Sequence, residues 1–182
     1  SENAWMQTHR YIPMLPPPAP LPLSMQMYGF DGVIQQMPAW EKPLFRTWCS
    51  IIPDEELVQL LITGDYIIAS DGSAPGRASF AWLLSTKAGR VVVACSGPAF
   101  GAKPGSFRAE AYGILSAIRF VIQFLKYRQA YSSISCLLLT DCKSLMQPFE
   151  LAMKHDDYFS NATLASDWDL VNEIVINTQA MD

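Results

Sequence analysis

Tyr66-Ile67-Ile68-Ala69-Ser70-Asp71-Gly72-Ser73 runs from an almost unbroken apolar stretch straight into an acid, a glycine and a hydroxyl. A short apolar run of this kind predicts a strand buried on both faces of a sheet. The Asp71 carboxylate then stands at the strand end, held by a rigid scaffold and open to solvent. Gly72 lets a second backbone or a ligand come close. Taken alone, the octapeptide reads equally well as a strand ending in a turn. The positions of the other acids separate the two readings.

Downstream, residues 73–77 form a turn with Pro75 and Gly76, and 78–86 read as a second strand. Residues 87–90 make a hairpin turn and 91–96 a third strand, which gives an antiparallel meander. A glycine- and proline-bearing loop at 97–105 leads to Ser106, the expected N-cap of the clearest helix, 106–126. Glu110 lies near the start of that helix. Gly113 or Ile114 and then Ala117 follow it on one face, small enough to let the helix lie close on a sheet and bring Glu110 to the sheet surface. After a polar break, 136–140 is another buried-type strand, and it ends at Asp141 as the first ended at Asp71. Helices are expected at 143–153 and 166–178, with a polar loop at 155–164 between them. Upstream, 54–62 is a short helix with acids in its first turn. The order predicts an α/β domain with a mixed sheet, the first three strands antiparallel and the fourth parallel to the first.

Residues 1–50 read differently. Six prolines between Pro13 and Pro22 make an extended, polyproline-type arm or linker. Its Trp, Met and Leu content means that parts of it pack, with Trp40, Leu44, Phe45 and Trp48 as a further docking segment. The expected division is therefore an arm at 1–50 and a domain at 51–182. At 182 residues the chain is long enough for a real core. A net charge of −4 excludes a binder that relies on bulk positive charge, but not an enzyme that meets phosphates through metal ions. The four cysteines lack paired metal-ligand spacing and are expected to be reduced thiols in an intracellular protein, cytoplasmic or nuclear. No apolar run reaches the ~18–20 residues of a membrane span, and no secretory signal is evident.

Two strands ending in aspartate, with a glutamate on the helix between them, have a chemical logic. Magnesium takes oxygen ligands and keeps several waters, so a few carboxylates suffice. Two such ions about 4 Å apart activate a water and stabilise a leaving oxygen of a phosphodiester. Three acids converging without a cation repel, which is a reason to expect a metal.

The set Ser70-Asp71-Gly72-Ser73, Arg108-Ala109-Glu110-Ala111 and Leu139-Thr140-Asp141-Cys142-Lys143-Ser144 resembles type 1 ribonuclease H, in the version carried by reverse-transcriptase-bearing retroelements. The flanks Ser79-Phe80-Ala81-Trp82 and Ser96-Gly97-Pro98 fit as well, and the resemblance covers roughly residues 64–178. It implies a ribonuclease H-like fold and hydrolysis of the RNA strand of an RNA–DNA hybrid with two Mg2+ ions, Mn2+ being an alternative. Asp71 would bridge both ions, and Glu110 and Asp141 would each hold one. Gly72 and Ser73 would lie along the hybrid's minor groove, with Glu110 near a ribose 2′-hydroxyl. Lys103, Arg108 and Lys143 are the phosphate-contact candidates. A retroelement polyprotein with an upstream reverse transcriptase is the implied setting.

The chain also departs from that pattern. A fifth strand, a histidine-bearing loop and a helix carrying a fourth acid are expected after residue 178 and are not found before Asp182. Asp167 and Asp169 are the remaining acids for the fourth place, yet they open the last helix, where an N-cap or first-turn acid belongs. His155 reads as a surface residue. Without a fifth strand, the strand at 136–140 has an exposed edge, which is a pairing hazard. Three outcomes are expected: the polypeptide continues, the N-terminal arm covers the edge, or another chain pairs with it by self-association. The alternative function is a catalytically incomplete domain of this fold that binds nucleic acid or assembles with proteins.

Overall fold

The computed structural model describes residues 4–7, 28–74, 76–101, 104–130, 134, 136–154 and 167–179. In chain order these hold β1 (Ala4–Gln7), α1 (Gly29–Gln36), a 3-10 turn (Lys42–Phe45), β2 (Cys49–Ser50), α2 (Asp54–Thr63), β3 (Tyr66–Ser73), β4 (Ser79–Thr86) and β5 (Val91–Pro98). Then come α3 (Ser106–Tyr127), β6 (Leu137–Thr140), α4 (Lys143–Lys154) and α5 (Trp168–Gln179). The strands form one open mixed sheet in the order β1-β6-β3-β4-β5-β2. β3, β4 and β5 are antiparallel neighbours, and β6 runs parallel to β3. This is an α/β fold. No helix of the described residues is long and apolar enough to cross a membrane.

β3 is not buried on both faces as its apolar run predicts. Tyr66, Ile68 and Ser70 point into the core, Ile67 is half-buried, and Ala69 and Asp71 are exposed. The reason lies in α3, which packs along one face of β3 and β4. The other face carries Ala69, Ala81 and Leu83 outward. A mixed sheet covered on one side needs only the alternation that β4 also displays.

α3 lies close because its inward face is small where it crosses β3. A Cβ at Gly113 would collide with the Ser70 hydroxyl, and Ala109 and Ala117 are fully buried. Ser106 is the first residue of the helix rather than its cap. Gly105, in extended conformation, takes the cap position and has no side chain with which to bond the free N–H groups. Farther along, Trp82 Nε1 donates to Ser116 Oγ at 2.8 Å, and that hydroxyl donates to the Leu44 carbonyl at 2.6 Å. This buried relay joins sheet, helix and the segment before β2, with every polar atom in it satisfied.

Residues 28–50 belong to the packed domain, so the boundary expected at residue 50 falls inside the core. Phe30, Ile34, Leu44 and Phe45 are buried, and Phe30 meets Trp48, Phe120 and Phe124 edge-on. Burying each such side chain stabilises by about 2 kcal/mol, enough to order a helix whose Gly29, Asp31 and Gly32 are poor formers. β2 extends the sheet by pairing with β5. At the far end, β1 pairs antiparallel with β6, from Ala4 opposite Thr140 to Gln7 opposite Leu137. The β6 edge expected to be open is thus occupied by the same chain. The proline run at 13–22, Lys103 and His155 with its polar loop lie outside the described residues.

Candidate metal centre

β3 and β6 are in register from Ile67 opposite Leu137 to Ser70 opposite Thr140. Asp71 and Asp141 each follow the last paired residue, so parallel pairing sets the two acids side by side at the same end of the sheet. Past Thr140 the chain turns at once: Thr140 Oγ1 accepts the Cys142 N–H at 3.1 Å, and α4 begins at Lys143. Glu110 comes from the second turn of α3. Its approach depends on Gly72, because a Cβ there would drive into the Glu110 backbone nitrogen and the Ala109 carbonyl carbon. The close neighbour expected of Gly72 is therefore the α3 backbone.

The result is three carboxylates, one ligand oxygen from each of Asp71, Glu110 and Asp141, all within 4.8 Å of one another. Asp71 and Asp141 are exposed, whereas Glu110 is only 5% exposed and its Oε2 has no hydrogen-bond partner among the described residues. Burial first, and then the Asp141 and Asp71 charges, push the Glu110 carboxyl up to about 7, against a stabilising Gly72 backbone N–H. Two carboxylates at this separation repel by on the order of 3 kcal/mol at an effective dielectric of 20. No ion pair to any of the three exists among the described residues. An all-oxygen donor set with one orphaned buried oxygen suits a hard divalent cation.

The other candidates are distributed elsewhere. Ser73 lines an open groove of about 590 Å³ that also contains Asp71. Lys143 is exposed at the start of α4. Arg108 turns away from the triad: Nη1 donates to Asp167 Oδ1 at 2.8 Å and Nη2 to Asp169 Oδ2 at 2.7 Å, while Nε donates to the Phe100 carbonyl. These bonds hold the guanidinium more firmly protonated and the Asp169 carboxyl below its ordinary range. Asp167 stands just before α5, its carbonyl accepting from Leu170 and Val171, and Asp169 is in the first turn. Both acids are thus salt-bridge partners of Arg108, and neither belongs to the carboxylate cluster. Arg46, Thr47 and Arg77, which the sequence reading passed over, line the groove beside Asp71. The only sequence signal of the two arginines is charge, Thr47 carries none, and Arg46 lies in the stretch read as a linker.

No family, curated protein or solved structure matches this chain.

Proposed function

We propose that this chain is a divalent-metal-dependent nuclease of the ribonuclease H type, hydrolysing the RNA strand of RNA–DNA hybrids. The observation that carries the proposal is the convergence of Asp71, Glu110 and Asp141 within 4.8 Å of one another, with no basic side chain paired to them among the described residues. The same three residues sit in the three stretches that resemble that family. Asp71 and Asp141 offer exposed oxygens from rigid strand ends, and Glu110 contributes from the closely packed start of α3. Two magnesium ions held there would supply Lewis acidity and a water acidic enough to attack a phosphodiester. Near pH 7 the buried Glu110 carboxyl holds a proton part of the time, and a divalent cation held there would favour its ionised form.

The test is cleavage of an end-labelled hybrid in Mg2+, with single-stranded RNA, duplex RNA and duplex DNA as comparisons. Hybrid-specific cleavage of the RNA strand is expected. Asp71→Asn should lower its rate by about 10³-fold, the equivalent of several kcal/mol of lost charge stabilisation. Equal rates for the two proteins would sink the assignment. A second reading, a nucleic-acid-binding or assembly module, is favoured by one observation: among the described residues no fourth acid joins the triad, since Arg108 engages Asp167 and Asp169. Hybrid binding with no cleavage in Mg2+ or Mn2+ would select it.

A further inference from the structure

Arginines in the described residues fall into two groups. Arg90 faces Glu56, Arg108 holds Asp167 and Asp169, Arg119 holds Glu41, and Arg128 holds Asp54 and Glu55. Arg46 and Arg77 meet no acid among the described residues, and both are exposed on the groove that contains Asp71. Asp31 borders the neighbouring cleft together with Arg46, but its Oδ1 accepts from Trp48 Nε1 at 2.7 Å.

The floor of the groove is low. Asp71 is opposite Ala81, and Ala81 is opposite Ser96, so small side chains cross the sheet from the triad to β5. Two strand spacings make this path about 10 Å, or about three nucleotides at the 3.4 Å rise of one strand. At its far end Thr47 locks onto Ser96: its hydroxyl donates to the Ser96 carbonyl at 2.9 Å and accepts the Ser96 N–H at 2.9 Å. Arg46 is therefore presented from an anchored backbone, while Arg77 stands at the β3–β4 turn.

We infer that Arg46 and Arg77 are phosphate contacts that seat a sugar-phosphate strand across β3, β4 and β5 and lead it to Asp71. The inference rests on the nuclease reading for its substrate class. Guanidinium groups bind phosphate oxygens in pairs, and here they provide local positive charge in a chain whose net charge is −4. Arg46 lies outside the region that resembles the nuclease family, so the N-terminal segment builds one end of the substrate path.

The experiment measures binding of a fluorescent hybrid by anisotropy across a KCl series, in the full-length Asp71→Asn background with Mg2+. Arg46→Ala and Arg77→Ala should each weaken binding by about tenfold and reduce the salt slope by about 1. Arg46→Lys should recover part of the affinity, and Arg90→Ala should change nothing. Unchanged affinity and slope in both alanine variants, when the wild type cleaves hybrid, would overturn the groove and leave the nuclease reading standing. Lost affinity in a protein whose wild type cleaves nothing would support the groove and remove the nuclease reading. A wild type that binds none of the nucleic acids overturns both.

Discussion

Glu41 and Glu110 are both buried glutamates, 1% and 5% exposed, in opposite surroundings. Glu41 Oε1 accepts from Arg119 Nε at 2.7 Å, from Arg119 Nη2 and from Gln123 Nε2 at 3.0 Å. Arg119 also donates to Asn177 Oδ1 at 2.9 Å and lies over the Trp40 ring, so one guanidinium ties residues 40–41 to α3 and α5. Glu110 has two more carboxylates beside it and, among the described residues, no guanidinium paired to it. Arg108, on the same helix, turns to Asp167 and Asp169 instead. A buried acid with its own cation holds the fold together; a buried acid among acids lacks that partner among the described residues and sits in a cluster that could hold a metal ion.

Three substitutions bear on that contrast. The largest effect is expected from Arg119→Met, which leaves Glu41 as an uncompensated buried charge and should destabilise by about 4 kcal/mol, or about 10 °C in Tm. Thermal unfolding measures it, and Arg119→Met combined with Glu41→Leu should regain most of the loss. A single variant as stable as wild type would mean that the Glu41 pair holds nothing.

The next concerns Glu110. Its folded-state carboxyl is raised from the usual range to about 7, so below about pH 4.5 both states are protonated and nothing is lost. Between there and pH 7 the unfolded state ionises first, and stability falls as pH rises, by up to about 3 kcal/mol. Glu110→Gln should therefore match wild type at pH 4 and exceed it at pH 8, in urea unfolding with EDTA present. Mg2+ at pH 8 should then stabilise wild type more than the variant. Identical curves at both pH values would erase the difference between the two glutamates.

The smallest effect is expected from Gly72→Ala, whose methyl group has to push α3 away from β3. Overpacking of this kind costs about 2 kcal/mol, and here it should also weaken Mg2+ binding, read by calorimetry, because Glu110 moves with the helix. A stability loss without a change in Mg2+ affinity would detach Glu110 from the triad.

Much of the fold was legible because its strands and long helix follow simple periods. β3, β4, β5, α3 and β6 lie within a residue or two of where hydrophobic pattern and turn residues place them. An apolar run, however, does not say how many of its faces will be covered, and Ala69 ended in solvent. α1 was missed because Gly29, Asp31 and Gly32 argue against a helix, which forms through the burial of Phe30 and Ile34. Arg108 resembled a phosphate contact because a charge read in isolation has no partner; its acids are 59 and 61 residues away.

By itself the sequence determined which residues carry charge at the ends of strands and at the start of a helix, because a short apolar run followed by an acid has few other ways to fold. Tertiary structure alone decided which of those charges are neutralised. The parallel register of β3 with β6 and the close passage of α3 over Gly72 bring three acids together, while helix packing delivers Arg108 and Arg119 to other acids. Ion pairing depends on distance in space, and a chain's order does not contain that distance.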